Sequence, residues 1–334
     1  MYFILGLSIV MAALLVLNSS ASLVASLIWR TFERRVSRGS AARSAQTVLL
    51  LRTVPVALGI GGVLFLFGPA YLRHEPRVGH ETVGLKLAVV AALSALGIVM
   101  ALVRGFAAWR ATRRLTADWL RTAEPIQIPR LGIPAYQVEH RFPLMAVVGA
   151  LRPRLFIAKQ IFRSLTAEEL SAALEHEIGH IMAHDNLKRS VLRACRDMLL
   201  IIPCSRHLDE AWAEASEAAA DEYAARRDQK VGLNLASALV KIARLIPAGA
   251  RPTMTAGAFL VGEEGSLGFR ARVRRLIQLG NDPNEHTPHT LLVSKLPTLI
   301  PIALTLMLLA ITAYQPHVLS TVHTVIEHAV YILG

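Results

Sequence analysis

From Met1 to Trp29 the chain carries no Asp, Glu, Lys or Arg, and the same holds for Thr53 to Leu72, Leu87 to Val103 and Leu296 to Tyr314. A hydrocarbon core of about 30 Å is crossed by about 20 helical residues, so each run can span a bilayer, the third being the shortest. With 53% of all residues hydrophobic, the chain reads as an integral membrane protein. The first run lacks a basic n-region and is too long for a cleaved signal peptide, so four spans are expected.

Basic residues set the orientation. Arg30, Arg34, Arg35, Arg38, Arg43 and Arg52 fall between the first two spans, which places that loop in the cytoplasm. The N-terminus and the Arg73 to Lys86 loop then face outside, and the long segment from Arg104 to Lys295 returns to the cytoplasm, with Arg104, Arg110, Arg113 and Arg114 at its start. The expected location is a multi-pass protein of the plasma (inner) membrane. The net charge of +12 raises the question of nucleic acid, but no nucleic-acid-binding motif interrupts the apolar framework. Direct nucleic-acid binding is not expected, and anionic lipid of the inner leaflet is the simpler partner. Only Cys195 and Cys204 occur, without C-x-x-C spacing, and read as reduced structural thiols.

Within the long segment, His176-Glu177-Ile178-Gly179-His180 spells H-E-x-x-H. Thr166 with Glu169 three residues later forms a capping-box pattern, and Leu170, Ala173, Leu174, Ile178 and Ile181 recur at helical spacing, so the motif is expected on a helix. Positions i and i+4 share a face, which lets His176 and His180 aim two imidazoles at one ion while Glu177 reaches its water as general base. A hydrolytic Zn²⁺ site needs such ligands, an open position and that base. Ala183 and Asn186 stand where the metzincin extension needs glycine and histidine, which excludes that subclass. A third ligand is then sought on the segment Leu208 to Asp228, where Glu210, Glu214, Glu217 and Asp221 form an acidic stripe. Such stripes are mostly solvated faces. Here Glu217 and Asp221 form E-x-x-x-D, so a ligating carboxylate could be followed one turn later by one that orients a zinc-bound histidine.

These residues resemble the membrane gluzincin zinc metallopeptidases, and among them the beta-lactam sensor-transducer receptors of the BlaR/MecR type. The similar runs are Val148 to Ile157, Leu165 to Leu170, Leu174 to His180, Asp185-Asn186, Glu217 to Asp221 and the basic Arg270 to Leu276. The resemblance implies His176, His180 and Glu217 as zinc ligands, Glu177 as catalytic base and Asp221 as the carboxylate behind a ligand. His184 departs from the pattern, where relatives more often have a basic residue. CAAX-protease and heat-shock membrane proteases are the nearer alternative family, with spans differently distributed.

The expected architecture is a mainly α membrane protein: about four transmembrane helices, with a cytoplasmic α+β zincin-like (gluzincin) metalloprotease domain between spans three and four. It divides into residues 1–109 (three spans with a basic loop), 110–290 (the zinc metalloprotease domain), 291–314 (the fourth span) and 315–334 (a short extracytoplasmic amphipathic tail). Between Ile126 and Ala158, Ala146-Val147-Val148 and Leu155-Phe156-Ile157 read as strands with Pro153 at the turn. Helices follow: the zinc helix, an apolar one ending near Pro203, the carboxylate helix, and one from about Gly232 to Ile246.

Met145, Ala146, Val147 and Val148 are assigned to an edge strand that binds substrate backbone by strand addition, against the plainer reading of a core strand. Residues Pro247 to Phe269 form a loop of small residues, and Ala258-Phe259 stands where relatives cleave themselves. His207, Tyr223 and Arg226 are candidates by type for polarising the scissile carbonyl. The tail from Gln315 to Gly334 is too short for a penicillin-binding domain, so antibiotic sensing is not implied, and its apolar spacing suggests a helix on the outer membrane face with His317, His323 and His328 toward solvent.

The expected activity is zinc-dependent endoproteolysis of a cytoplasmic or membrane-proximal protein or peptide substrate, in a signalling role on a repressor or on the chain itself. A quality-control protease and a catalytically idle receptor or scaffold are the alternatives, and a homodimer stays open. Glu168, Glu169, Lys188 and Arg189 bracket the zinc helix too closely for an intramembrane site.

Overall fold

The computed structural model describes residues 1–36, 39–76, 82–129, 131–199, 205–226, 229–246, 257–259, 266–281 and 296–333. Arg38, Pro203, Cys204 and most of the 247–269 loop lie outside them.

The first uncharged run becomes helix α1 (Tyr2–Val36). The second lies in α2 (Ala41–Gly62), which passes through a π turn at Val63–Phe67 into α3 (Gly68–His74), and the third opens α4 (Leu85–Leu120). These three continuous helices, of 35, 34 and 36 residues, are long and apolar enough to cross a membrane, and they support a membrane protein.

The fourth expected span takes the form of a bent pair, α11 (Leu296–Ala313) and α12 (Pro316–Leu333), which meet at 93° and together are long and apolar enough for a broken span or a re-entrant turn. Pro316 lacks the backbone N–H needed to continue the helix and starts the next one. The α12 stripe Leu319, Val322, Ile326 and Val330 packs on Leu5, Ile9, Tyr71 and Leu87, so the tail docks against span ends. His323 stacks on His74 at 5.5 Å and lies 3.2 Å from Glu327, so it does not simply face solvent.

The arginines between the first two spans also sit differently from a loop. Helix α1 reaches Val36 and α2 starts at Ala41, so Arg34, Arg35, Arg43 and Arg52 are helical. Arg52 is only 1% exposed, with Nε 3.3 Å from Asp209. Burying a guanidinium is unfavourable unless it is paired, and the pairing ties α2 to a residue 157 positions along the chain.

Among the described residues, the segment between α4 and α11 holds a five-stranded sheet in the order β1-β2-β4-β3-β5. Its strands are β1 (Glu124–Ile126), β2 (Ala135–Val138), β3 (Met145–Val148), β4 (Arg154–Ala158) and β5 (Gly257–Phe259). Only β2 and β4 pair in parallel; the other pairs are antiparallel. Gly149, at φ 104°, and Pro153 make the β3–β4 turn. A Cβ on Gly149 would meet the Arg152 carbonyl oxygen at 2.7 Å, so only glycine fits there.

Helices α5 (Lys159–Ser164), α6 (Ala167–Ala183), α7 (Asp185–Asp197), α8 (Ser205–Ala225), α9 (Gln229–Leu245) and α10 (Ser266–Asn281) complete the domain. Phe156, Ile157, Ala173, Ala224, Leu235, Leu239 and Leu276 join sheet and helices in one core. The helix expected to be apolar is α7, and it is not: Lys188, Arg189, Arg193 and Arg196 share it with a buried face of Leu192 and Cys195.

Candidate metal centre

Helix α6 begins as its residues dictate: the Glu169 amide donates to Thr166 Oγ1 at 3.3 Å, and the Thr166 amide donates to Glu169 Oε2 at 2.9 Å. Glu169 also accepts from Ser237 at 2.7 Å and from Lys241 at 2.8 Å, which fastens α6 to α9. Three turns later His176, Glu177 and His180 point inward and are almost wholly buried. Gly179 lies between the two histidines, and a Cβ there would sit 3.2 Å from Ala220 Cα and 3.3 Å from Tyr223 Cδ1. Its missing side chain lets α8 approach closely enough for Glu217 to reach both imidazoles.

The result is nearly mirror-symmetric. His176 Nε2 and His180 Nε2 are 3.1 Å apart, and the Glu217 oxygens lie 3.6 Å from each of them. Ligand atoms of His176, His180 and Glu217 fall within 4.8 Å of one another, a group that could hold a metal ion. Behind each ring stands a carboxylate: Asp221 is 2.9 Å from His176 Nδ1, and Asp185 is 2.7 Å from His180 Nδ1. Each pairing puts the proton on Nδ1 and leaves Nε2 as the donor atom. Asp185 is itself held by the Ser216 hydroxyl of α8 at 2.8 Å.

The acidic stripe on α8 therefore runs from solvent into the core. Glu210 and Glu214 are exposed, whereas Glu217 and Asp221 enter the centre.

The electrostatics are those of a buried cluster. Burial pushes the Glu177 carboxyl up to about 7, against the opposing pull of His176 and His180. Burial also opposes charge on Glu217, but His180 and Arg272 outweigh it and hold that carboxyl well below its usual range. Both Glu177 oxygens are buried without a hydrogen-bond partner. Orphaned carboxylate oxygens beside two imidazoles and a carboxylate suit a site built for an ion and its water.

Two members of the centre were not assigned roles from sequence. Asp185 lies across the α6–α7 break, where His184 adopts φ 57° and closes one helix while opening the next. That left-handed turn explains His184, whose exposed ring contacts the Met182 carbonyl. Arg272 of α10 is buried, pairs with both oxygens of Asp221 at 2.9 and 2.8 Å, and places Nη1 3.0 Å from Glu217 Oε2 and Nη2 3.1 Å from His176 Nε2. The basic run Arg270 to Leu276 was its only sequence signal.

Of the three candidates for carbonyl polarisation, Tyr223 packs beside Gly179. His207 lies 3.7 Å from Glu33 of α1, and Arg226 follows the end of α8.

The four residues of β3 are all buried, and both edges of the strand are occupied. One pairs with β4, and the other with Gly257, Ala258 and Phe259 of the chain itself, in register Val148↔Gly257, Val147↔Ala258, Ala146↔Phe259. The Asn186 amide of α7 donates to the carbonyls of Val147 (2.8 Å) and Gly149 (3.2 Å), tying the strand to the helix that carries Asp185. A cavity of about 310 Å³ lies between this strand end and α6, with Val147, Gly149, Ile178 and His180 in its walls.

An H-E-x-x-H helix joined by a carboxylate from the next long helix is the donor set of a gluzincin-type metallopeptidase. Family comparison agrees with it: the profile of peptidase family M48 matches residues 110–290, more than half of the chain, and the protein belongs to that family. Comparison with curated proteins returns no match. Membership bears out the resemblance to membrane gluzincin metallopeptidases and makes the protein a metal-dependent peptidase.

Proposed function

We propose that the protein is a zinc-dependent integral-membrane endopeptidase, with His176, His180 and Glu217 as zinc ligands and Glu177 as general base. The observation that carries this is the paired geometry: two imidazoles, each backed by a carboxylate, facing one acid from α8. Two neutral imidazoles and one carboxylate are a ligand set that zinc favours in hydrolases. When bound, the ion would supply Lewis acidity and an acidified water.

The chain's own residues do the rest. Glu177, its carboxyl raised by burial, takes a proton from the attacking water and returns it to the leaving amine, work suited to a group that titrates near neutral pH. Asp221 and Asp185 hold the imidazoles in one orientation and tautomer. Tyr223, which packs beside Gly179 of the H-E-x-x-H helix, is the candidate donor to the scissile carbonyl. Arg272 keeps Asp221 and Glu217 ionised, and an ion among the three donors would compete with its guanidinium for His176 Nε2 and Glu217 Oε2.

The substrate is a cytoplasmic or membrane-proximal protein; Met145 to Val148 form an interior strand rather than the expected edge, so a substrate strand can add there only by taking the place of Gly257–Phe259, next to the cavity beside His180. The pairing of Ala258 and Phe259 with this strand supports self-cleavage at that segment, and with it a signalling rather than a housekeeping role. The N-terminus faces outside and residues 110–290 face the cytoplasm, an orientation supported by the arginines at the ends of α1 and α4.

The test is proteolysis by detergent-purified protein, wild type beside Glu177→Gln, with terminal sequencing of any fragments. Fragments beginning near Ala258-Phe259 in the wild type and missing from the variant are expected. The same fragments in both would remove Glu177 from its role and self-cleavage with it.

A further inference from the structure

A cavity of about 1270 Å³ lies away from the metal centre. It opens between the far half of α4, the face of α7 and the β3–β4 turn. Seven arginines line it: Arg104 and Arg113 from α4, Arg152 and Arg154 from the turn, and Arg189, Arg193 and Arg196 from α7. Asp197 is the one acidic residue among the lining residues, and Arg104 and Arg196 both approach it, at 2.9 and 3.9 Å. Arg196 also lies 3.8 Å from Asp209 and Arg189 5.9 Å from the Trp212 ring, and the lining itself still carries seven positive side chains to one negative.

Part of the apolar lining comes from α4. Ala101, Gly105 and Ala108 present small side chains along one face of α4, with Trp109 beside them and the Arg113 guanidinium 4.8 Å over its ring. The uncharged run of α4 ends at Val103, so the mouth of the cavity lies where hydrocarbon gives way to headgroups. Leu102, Val103 and Phe106 on the neighbouring faces are 58–68% exposed, as lipid-facing residues would be. The family match begins at residue 110, so Ala101, Arg104, Gly105, Ala108 and Trp109 of this wall precede it.

We propose that this cavity binds the phosphate headgroup of an anionic phospholipid, with the acyl chains leaving along the small-residue face of α4. All seven cations are arginine, whose planar fork suits phosphate oxygens in pairs. An acidic protein segment would satisfy the charge but not the apolar wall that continues into the span. Bound lipid would brace α7 against α4, and α7 begins with Asp185, the partner of His180, and Asn186, which holds β3. The proposal rests on α4 spanning a bilayer and not on the catalytic reading.

Full-length protein in nanodiscs tests it, with brominated phosphatidylglycerol or brominated phosphatidylcholine as quencher and the Trp109 signal taken as wild type minus Trp109→Phe. Quenching by phosphatidylglycerol is expected at about tenfold lower mole fraction than by phosphatidylcholine. Arg113→Gln with Arg152→Gln abolishes that preference. Arg110→Gln with Arg114→Gln, which removes the same charge from α4 outside the cavity lining, keeps it.

Equal quenching by both lipids, or equal loss in both double variants, would reduce the site to diffuse charge. Reversal by inorganic phosphate or by an acidic peptide would assign the cavity to a soluble phosphate or to a protein segment. If the first double variant fails to fold, native mass spectrometry of the wild type decides: one phosphatidylglycerol retained per chain supports the site, and no preference over phosphatidylcholine overturns it.

Discussion

The metal centre and the cavity beside α4 handle charge in opposite ways. In the centre, His176, His180, Glu217, Asp185, Asp221 and Arg272 sit in a buried cluster where nearly every charge faces an opposite one. The cavity gathers seven arginines about one aspartate. Balance inside a core fixes geometry, because each group restrains its neighbour; imbalance at a rim leaves charge for something outside the chain. Glu177 is the exception in the centre, since its two oxygens are buried without a hydrogen-bond partner.

The sharpest way to break the contrast is to remove that exception. Glu177→Gln, measured by substrate cleavage in detergent, is expected to lower turnover about 10³-fold while metal content stays near wild type. Next is the balance itself. Arg272→Gln leaves Asp221 and Glu217 as uncompensated buried anions, and in chelator its unfolding free energy falls by about 3 kcal/mol. Added zinc should restore part of that loss, because an ion supplies the missing positive charge, and thermal melts with and without zinc read the difference.

Smaller effects come from the groups behind the ligands. Asp221→Asn and Asp185→Asn each weaken metal affinity about 10- to 100-fold by competitive chelator titration, with similar size because the two imidazoles are held in equivalent ways. A loss confined to Asp221 would show that the symmetry is only apparent.

The smallest effect lies at the start of α6. Burial opposes ionisation of Glu169, but hydrogen bonds from Lys241, Ser237 and the Thr166 amide outweigh it, so its folded pKa is lowered from 4.5. A lowered folded pKa stabilises the protein above the unfolded value and ceases to do so as pH falls through the folded one. Wild type should therefore exceed Glu169→Gln by about 1 kcal/mol at neutral pH, with the gap closing below pH 4.5.

Local signals carried much of this into the sequence. H-E-x-x-H, the Thr166–Glu169 box and the E-x-x-x-D pair are short-range patterns whose geometry follows from helix periodicity, and the structure brings their residues together. Strands β3 and β4 were readable as apolar runs around a Gly and Pro turn, whereas β1 (Glu-Pro-Ile), β2 (Ala-Tyr-Gln-Val) and β5 (Gly-Ala-Phe) carry no such apolar run and were not.

Asp185 escaped because it reaches His180 only through the left-handed turn at His184. Arg272 escaped because its partners lie 51 and 96 positions away along the chain. Arg52 looked like a loop arginine until its partner Asp209, 157 positions away, turned it into a buried contact. The shape of the fourth apolar run was not legible for a simpler reason: composition marks an apolar helix, but the bend between α11 and α12 is set by how α12 packs on α1, α3 and α4.

The most direct test of the centre is the metal content of detergent-purified protein, wild type beside Glu217→Ala. The expected result is about one zinc per wild-type chain, lost or greatly weakened in the variant. Wild type that holds no metal and cannot be reloaded, or a variant that keeps its zinc unchanged, would contradict the assignment of His176, His180 and Glu217 as the ligand set.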